Sequence, residues 1–146
     1  MTEKRSISMR AIIVVFALFL PGLADAQSID GSIIGVHWPS GEVSGDGYSG
    51  YPAIEIENSG SEPHEFWIQV SVQDPNGRWH INGFSHTETI ASGKRDDFRR
   101  INVRISPHNE KMPVGYYNGK VELYADFYKH DKLDSQTQRK AFEVNT

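Results

Sequence analysis

Three aromatic residues, Trp67, Tyr124 and Tyr128, fall on the polar phase of segments in which apolar and polar residues otherwise alternate. In an extended chain successive side chains point to opposite faces, so this phase turns all three rings away from the core. A large rigid ring held outward can stack on a sugar or anchor a protein partner, because it offers contact area at low entropic cost. These three are the candidate binding residues. A loop such as Gly41 to Pro52 folding over them would instead make them a satellite cluster of the core.

Other chemistry has less to stand on. The six histidines, His37, His64, His80, His86, His108 and His130, contain no close pair at metal-ligand spacing. Asp126, Asp131 and Asp134 lack the dense alternation of oxygen ligands in a calcium loop. No cofactor is expected. A nucleophile elbow, a His-rich metal motif and a glycine-rich phosphate loop are all missing from the sequence, which therefore reads as non-catalytic. Lys94, Arg95, Arg99, Arg100 and Arg104 form a basic run broken by Asp96 and Asp97. It reads as a solvated edge that resists aggregation, with a patch for anionic polymers as the sharper alternative.

The elements that would position these residues begin after a leader. Lys4, Arg5 and Arg10 precede the apolar run Ala11 to Leu20, which is too short to span a bilayer, and Ala24-Asp25-Ala26 supplies the small residues of a cleavage site. The expectation is a signal peptide over residues 1–26, whether translation starts at Met1 or Met9, and a single domain over 27–146 with no membrane span. Without the leader the chain has 12 basic and 17 acidic residues, a net charge of −5, which argues against nucleic acid as a partner. There is no cysteine, so an exported domain of this composition relies on its core alone.

Period-two alternation is the strand signature. It is clearest from Phe66 to Gln73, where Phe66, Ile68, Val70 and Val72 share one face; a slip of one residue would bury polar side chains, so the register is fixed. Asp74-Pro75-Asn76-Gly77 makes a tight turn, and Arg78 to Ile81 returns as a hairpin. Further strands are expected at Ile33 to Trp38, Ala53 to Glu57, Arg100 to Ile105, Lys120 to Tyr128 and Lys140 to Val144, with a weaker one at Glu88 to Ile90. The Gly- and Ser-rich stretch Gly41 to Pro52 reads as a mobile loop. No segment has a convincing helical period, and seven to eight strands at this spacing suggest an all-β sandwich.

Ile54-Glu55-Ile56-Glu57-Asn58-Ser59-Gly60, Asp74-Pro75-Asn76-Gly77, Ile90-Ala91-Ser92-Gly93 and Pro113 to Val121 together resemble the immunoglobulin-like β-sandwich modules of bacterial and archaeal extracellular proteins, of the cell-adhesion-related or NPCBM-associated type. The resemblance runs from about Ala53 to Val144 and implies an immunoglobulin-like antiparallel order. In that order Ala53 to Glu57 pairs with Arg100 to Ile105, setting Glu55 and Glu57 against Arg100 and Arg104. Phe66 to Gln73 pairs antiparallel with Lys120 to Tyr128, which brings Trp67 close to Tyr124 and Tyr128. Tyr117 then resembles the tyrosine that ties down the turn before a strand in such domains, unless Asn118-Gly119 is itself a turn. The function expected is a binding or adhesion module of the periplasm, cell surface or extracellular space that recognises a polysaccharide or protein. Its alternatives are a subunit that self-associates through an edge strand and an inhibitor acting through the Gly41 to Pro52 loop.

Overall fold

The computed structural model describes residues 27–99, 101–104 and 111–145. The expected leader at residues 1–26 lies outside them, as do Arg100, Ile105 and His108. Eight strands follow one another: β1 (Gly31–His37), β2 (Glu42–Ser44), β3 (Ala53–Asn58), β4 (Trp67–Gln73), β5 (Trp79–His86), β6 (Arg95–Phe98), β7 (Gly115–Tyr124) and β8 (Lys132–Asn145). They form a three-stranded sheet in the order β1-β3-β6 and a five-stranded sheet in the order β2-β8-β7-β4-β5. The fold is an all-β sandwich in the strand order of immunoglobulin-like domains. Every pairing is antiparallel except β2 with β8, which run parallel.

Between the sheets lies the core that the alternation foretold. Phe66, Ile68, Val70 and Val72 are completely buried; the first three pack with their sheet neighbours Val121 and Leu123 and with Ile54 and Ile56 of the other sheet. Each such side chain stabilises the fold by roughly 1.5–3 kcal/mol relative to exposure. At the other end Phe142 stacks on Tyr117 with ring centroids 4.9 Å apart and on Trp38 at 5.9 Å. Tyr117 donates its hydroxyl to the Pro113 carbonyl at 2.6 Å, anchoring the approach to β7. Asn118-Gly119 is not a turn: both lie within β7, and the missing side chain of Gly119 leaves room for the indole of Trp38.

Several strands depart from expectation. The partner of β3 is β6 at Arg95–Phe98, so Glu57 faces Arg95, with an ion pair of 2.7 Å, rather than Arg100 or Arg104. Residues 101–104 contribute one isolated bridge, Val103 to Tyr48, and Ile90 likewise forms only a bridge with His64. The stretch Gly41 to Pro52 carries β2 and buries Val43, because the valine seats beside Phe142 and Val144 in the core. Most polar of all, the first half of β8 was not expected as a strand. It pairs with β7 through backbone bonds, and its side chains close the free edge of β1. There the Ile33 amide donates to Asp134 Oδ2 and Gln136 Nε2 donates to the Ile33 carbonyl, both at 2.8 Å.

Candidate functional site

The outward face of the five-stranded sheet gathers the chemistry-bearing side chains. Residue 67 of β4 lies between Tyr124 of β7 and His86 of β5, so the expected neighbourhood of Trp67 and Tyr124 is present. A bulge where Asn82 is the extra residue shifts the phase of β5. Trp79 and Ile81 therefore face outward before it, and Phe84 and His86 after it. Phe84 then stacks on Trp67 with centroids 5.4 Å apart and planes 16° from parallel.

β7 ends at Tyr124, four residues before Tyr128. The cause is Asp126, whose Oδ1 accepts the backbone amides of His130 at 3.0 Å and Asp131 at 3.2 Å and folds the chain into a turn. A strand running on to Tyr128 would alternate Phe127 with the outward Tyr124 and Tyr128 and so turn it inward; the turn reverses that. Instead of entering the core, its ring meets Trp67 edge-on at 5.0 Å and Phe84 at 5.8 Å, and it remains 56% exposed. Tyr128 stands at the tip, 73% exposed, with His130 stacked beside it at 5.8 Å.

The three expected binding residues thus have different environments. Tyr128 is presented to solvent, Trp67 is half-buried beneath Phe127, and Tyr124 is buried. The covering element is the turn after Ala125, not the stretch Gly41 to Pro52. Phe84, Phe127 and Lys129 complete the cluster and were missed. Phe84 lay beyond the expected end of its strand, and the signal for the turn was the Asp126 carboxylate four and five residues before the amides it caps.

Beside the rings lies a buried carboxylate paired with an exposed lysine. Glu122 Oε2 accepts from Lys132 Nζ at 2.7 Å and from the Tyr124 hydroxyl at 3.0 Å. Its Oε1 receives Gln69 Nε2 at 3.4 Å, and Lys120 Nζ lies 3.9 Å away. Burial alone would raise the Glu122 carboxyl, but the donors from Lys132 and Tyr124 outweigh it and hold the group below the usual carboxylate range. The Tyr124 hydroxyl is pushed up, by burial first and by its bond to the carboxylate second. Lys129 reaches over Phe84 with its ammonium 4.5 Å from the ring centroid and donates to Gln69 Oε1.

The histidines are spread over separate tasks. His64 bonds the Ala125 carbonyl at 2.6 Å, His80 the Asp74 carboxylate at 2.8 Å, and His86 the Glu65 carboxylate at 2.9 Å. Among the described residues no group of three or more His, Asp or Glu side chains is placed to hold a metal ion.

No protein-family profile matches the chain, and no curated protein matches it in sequence. Solved structures with a similar backbone include β-glucosidase 3B from Thermotoga neapolitana in complex with α-D-glucose, at 20% identity and TM-score 0.45 over 80% of this chain and 16% of that one. The GH3 β-glucosidase of Bifidobacterium adolescentis aligns at 13% identity and TM-score 0.49 over 77% of this chain and 17% of that one. A β-glucuronidase from glycoside hydrolase family 2 aligns at 15% identity and TM-score 0.47 over 73% and 12%. The chain spans less than a fifth of the length of each.

Proposed function

We propose that this chain is an exported, non-catalytic module that binds a polysaccharide of the cell envelope or exterior through the aromatic crest of the β7–β8 turn. The observation that carries the reading is the crest itself: Tyr128 and Phe127 are strongly exposed yet held by ring contacts to His130, Trp67 and Phe84. An exposed ring is ordinarily free to move and gains little on binding. One fixed by neighbouring rings has already lost that freedom, so stacking a sugar on it orders little more. The leader expected at residues 1–26 supports a partner outside the cytoplasm.

Retention of the chain on a panel of immobilised polysaccharides tests the reading. Replacing Tyr128 with Ala is expected to weaken the retained interaction about tenfold, roughly 1.4 kcal/mol, without lowering the thermal midpoint. An unchanged affinity would exclude the crest as the site.

A second reading, self-association through an edge strand, is favoured by β5. This eight-residue strand ends the five-stranded sheet and exposes Ile81 to 68%. A mass that rises with concentration in sedimentation would support it, and a monomer at all concentrations would remove it.

A further inference from the structure

Four strands border the two sheets, β1 and β6 on one and β2 and β5 on the other. An edge strand offers unpaired backbone amides and carbonyls, and folded chains normally shorten, charge or cover such edges. Three of these four follow that rule. The β1 edge is closed by Asp134 and Gln136, which take up the amide and the carbonyl of Ile33. β6 has four residues, of which Arg95, Asp96 and Asp97 are charged, and β2 has only three residues. β5 runs for eight residues, contains no acidic residue, lysine or arginine, and exposes Trp79 to 42% and Ile81 to 68%. β4 pairs with one side of it, and among the described residues no strand pairs with the other.

This edge fits itself in one register. Trp79 and Ile81 face outward before the bulge at Asn82, and Phe84 and His86 face outward after it. When a second β5 is turned end for end about the midpoint between Asn82 and Gly83, Trp79 falls opposite His86 and Ile81 opposite Phe84. All four outward side chains then meet outward side chains, and the inward His80 meets Ser85. A slip of one residue would set outward against inward positions. The strand ends agree with this direction. Arg78 precedes β5 and Glu88 follows it, both exposed, so antiparallel pairing brings unlike charges together at each end where parallel pairing would bring like charges together.

The geometry points to a second copy of this chain on the β5 edge: two β5 strands pair antiparallel about a two-fold axis between Asn82 and Gly83. This rests on the self-association reading above and gives it a register and a stoichiometry. A second copy is the occupant because the edge is complementary to itself in facing and in end charge. The contact is isologous, so it closes at two copies and does not propagate into a fibre. It joins the two five-stranded sheets edge to edge, with both outward faces, and so both Tyr128 crests, on the same side.

The chain contains no cysteine, so introduced thiols report the register without background. Sedimentation of the purified chain at rising concentration is expected to reach twice the chain mass and stop there. A Trp79→Cys chain mixed with a His86→Cys chain is expected to form a mixed disulfide under mild oxidation, because residues opposite each other lie about 4.5–5.5 Å apart between Cα atoms. Neither variant alone is expected to cross-link, since like residues lie seven positions apart in this register, roughly 23 Å. Ile81→Lys is expected to weaken the dimer at least about tenfold while the chain stays folded by circular dichroism, since that side chain is already largely exposed in the single chain. Four results would overturn this pairing and leave self-association standing: a mass that climbs past two copies, cross-linking of either cysteine variant with itself, a dimer without the mixed disulfide, or an Ile81→Lys dimer of full strength. A monomer at every concentration would overturn both readings.

Discussion

Glu122 is a buried carboxylate that the sequence showed only as one polar position in an alternating strand. Its donors lower its pKa in the folded chain, and His80 with the amides of Asn76 and Arg78 does the same for Asp74 against the opposing effect of burial. A carboxyl with a depressed folded pKa lets the unfolded chain take up its proton first as pH falls. Its stabilisation is therefore complete above the ordinary range near about 4 and drains away as pH drops toward the folded value. Glu122→Gln is expected to flatten the pH dependence of unfolding free energy between about pH 5 and 3, as measured by urea titration at several pH values. A slope identical to the parent would mean that Glu122 titrates normally. Asn58 was equally invisible in its motif. Completely buried, it donates to the Glu62 and Ile90 carbonyls at 2.7 and 2.8 Å and accepts the Gly60 amide, so a residue read as part of a family pattern proves to tie three segments together.

At the scale of elements, legibility followed the hydrophobic effect. The facing of β4 could be anticipated because a shift of one residue would expose its aliphatic side chains, whereas its antiparallel pairing with β7 followed from the immunoglobulin-like order that the resemblance implied. β6 has one apolar residue, Phe98, and the first half of β8 has one, Leu133, so alternation gave no signal for either. Backbone pairing and side-chain closure of the β1 edge hold β8 there instead. The site suffered from the same limit: Trp67 beside Tyr124 came from that implied strand order, but the Asp126 turn that brings Phe127 and Lys129 over them is a polar device. β7 itself makes a sharp prediction. A Cβ at Gly119 would lie 2.1 Å from the Trp38 ring. Gly119→Ala is therefore expected to destabilise the fold by about 1–3 kcal/mol through overpacking, read as a lower denaturation midpoint with an unchanged slope. Tolerance of the alanine would mean that Trp38 moves freely.

Viewed as a whole, the molecule has two unlike outward faces. One outward surface is acidic around Glu55, Glu57 and Asp97, and the other interleaves lysines with aromatic rings. Composition alone could not show this difference, because strand phase and bulges decide which side chains share a surface. The closure of the β1 edge by Asp134 and Gln136 has a consequence in time. These side chains bond a residue 101 and 103 positions earlier in the chain. A chain made from its N-terminus leaves that edge open until the segment carrying Asp134 and Gln136 has been synthesised, so completion of the sandwich awaits β8. Contacts so distant belong to topologies that fold in roughly milliseconds to seconds. Stopped-flow refolding is expected in that range, and a chain ending at Asp131 is expected to show no cooperative unfolding transition.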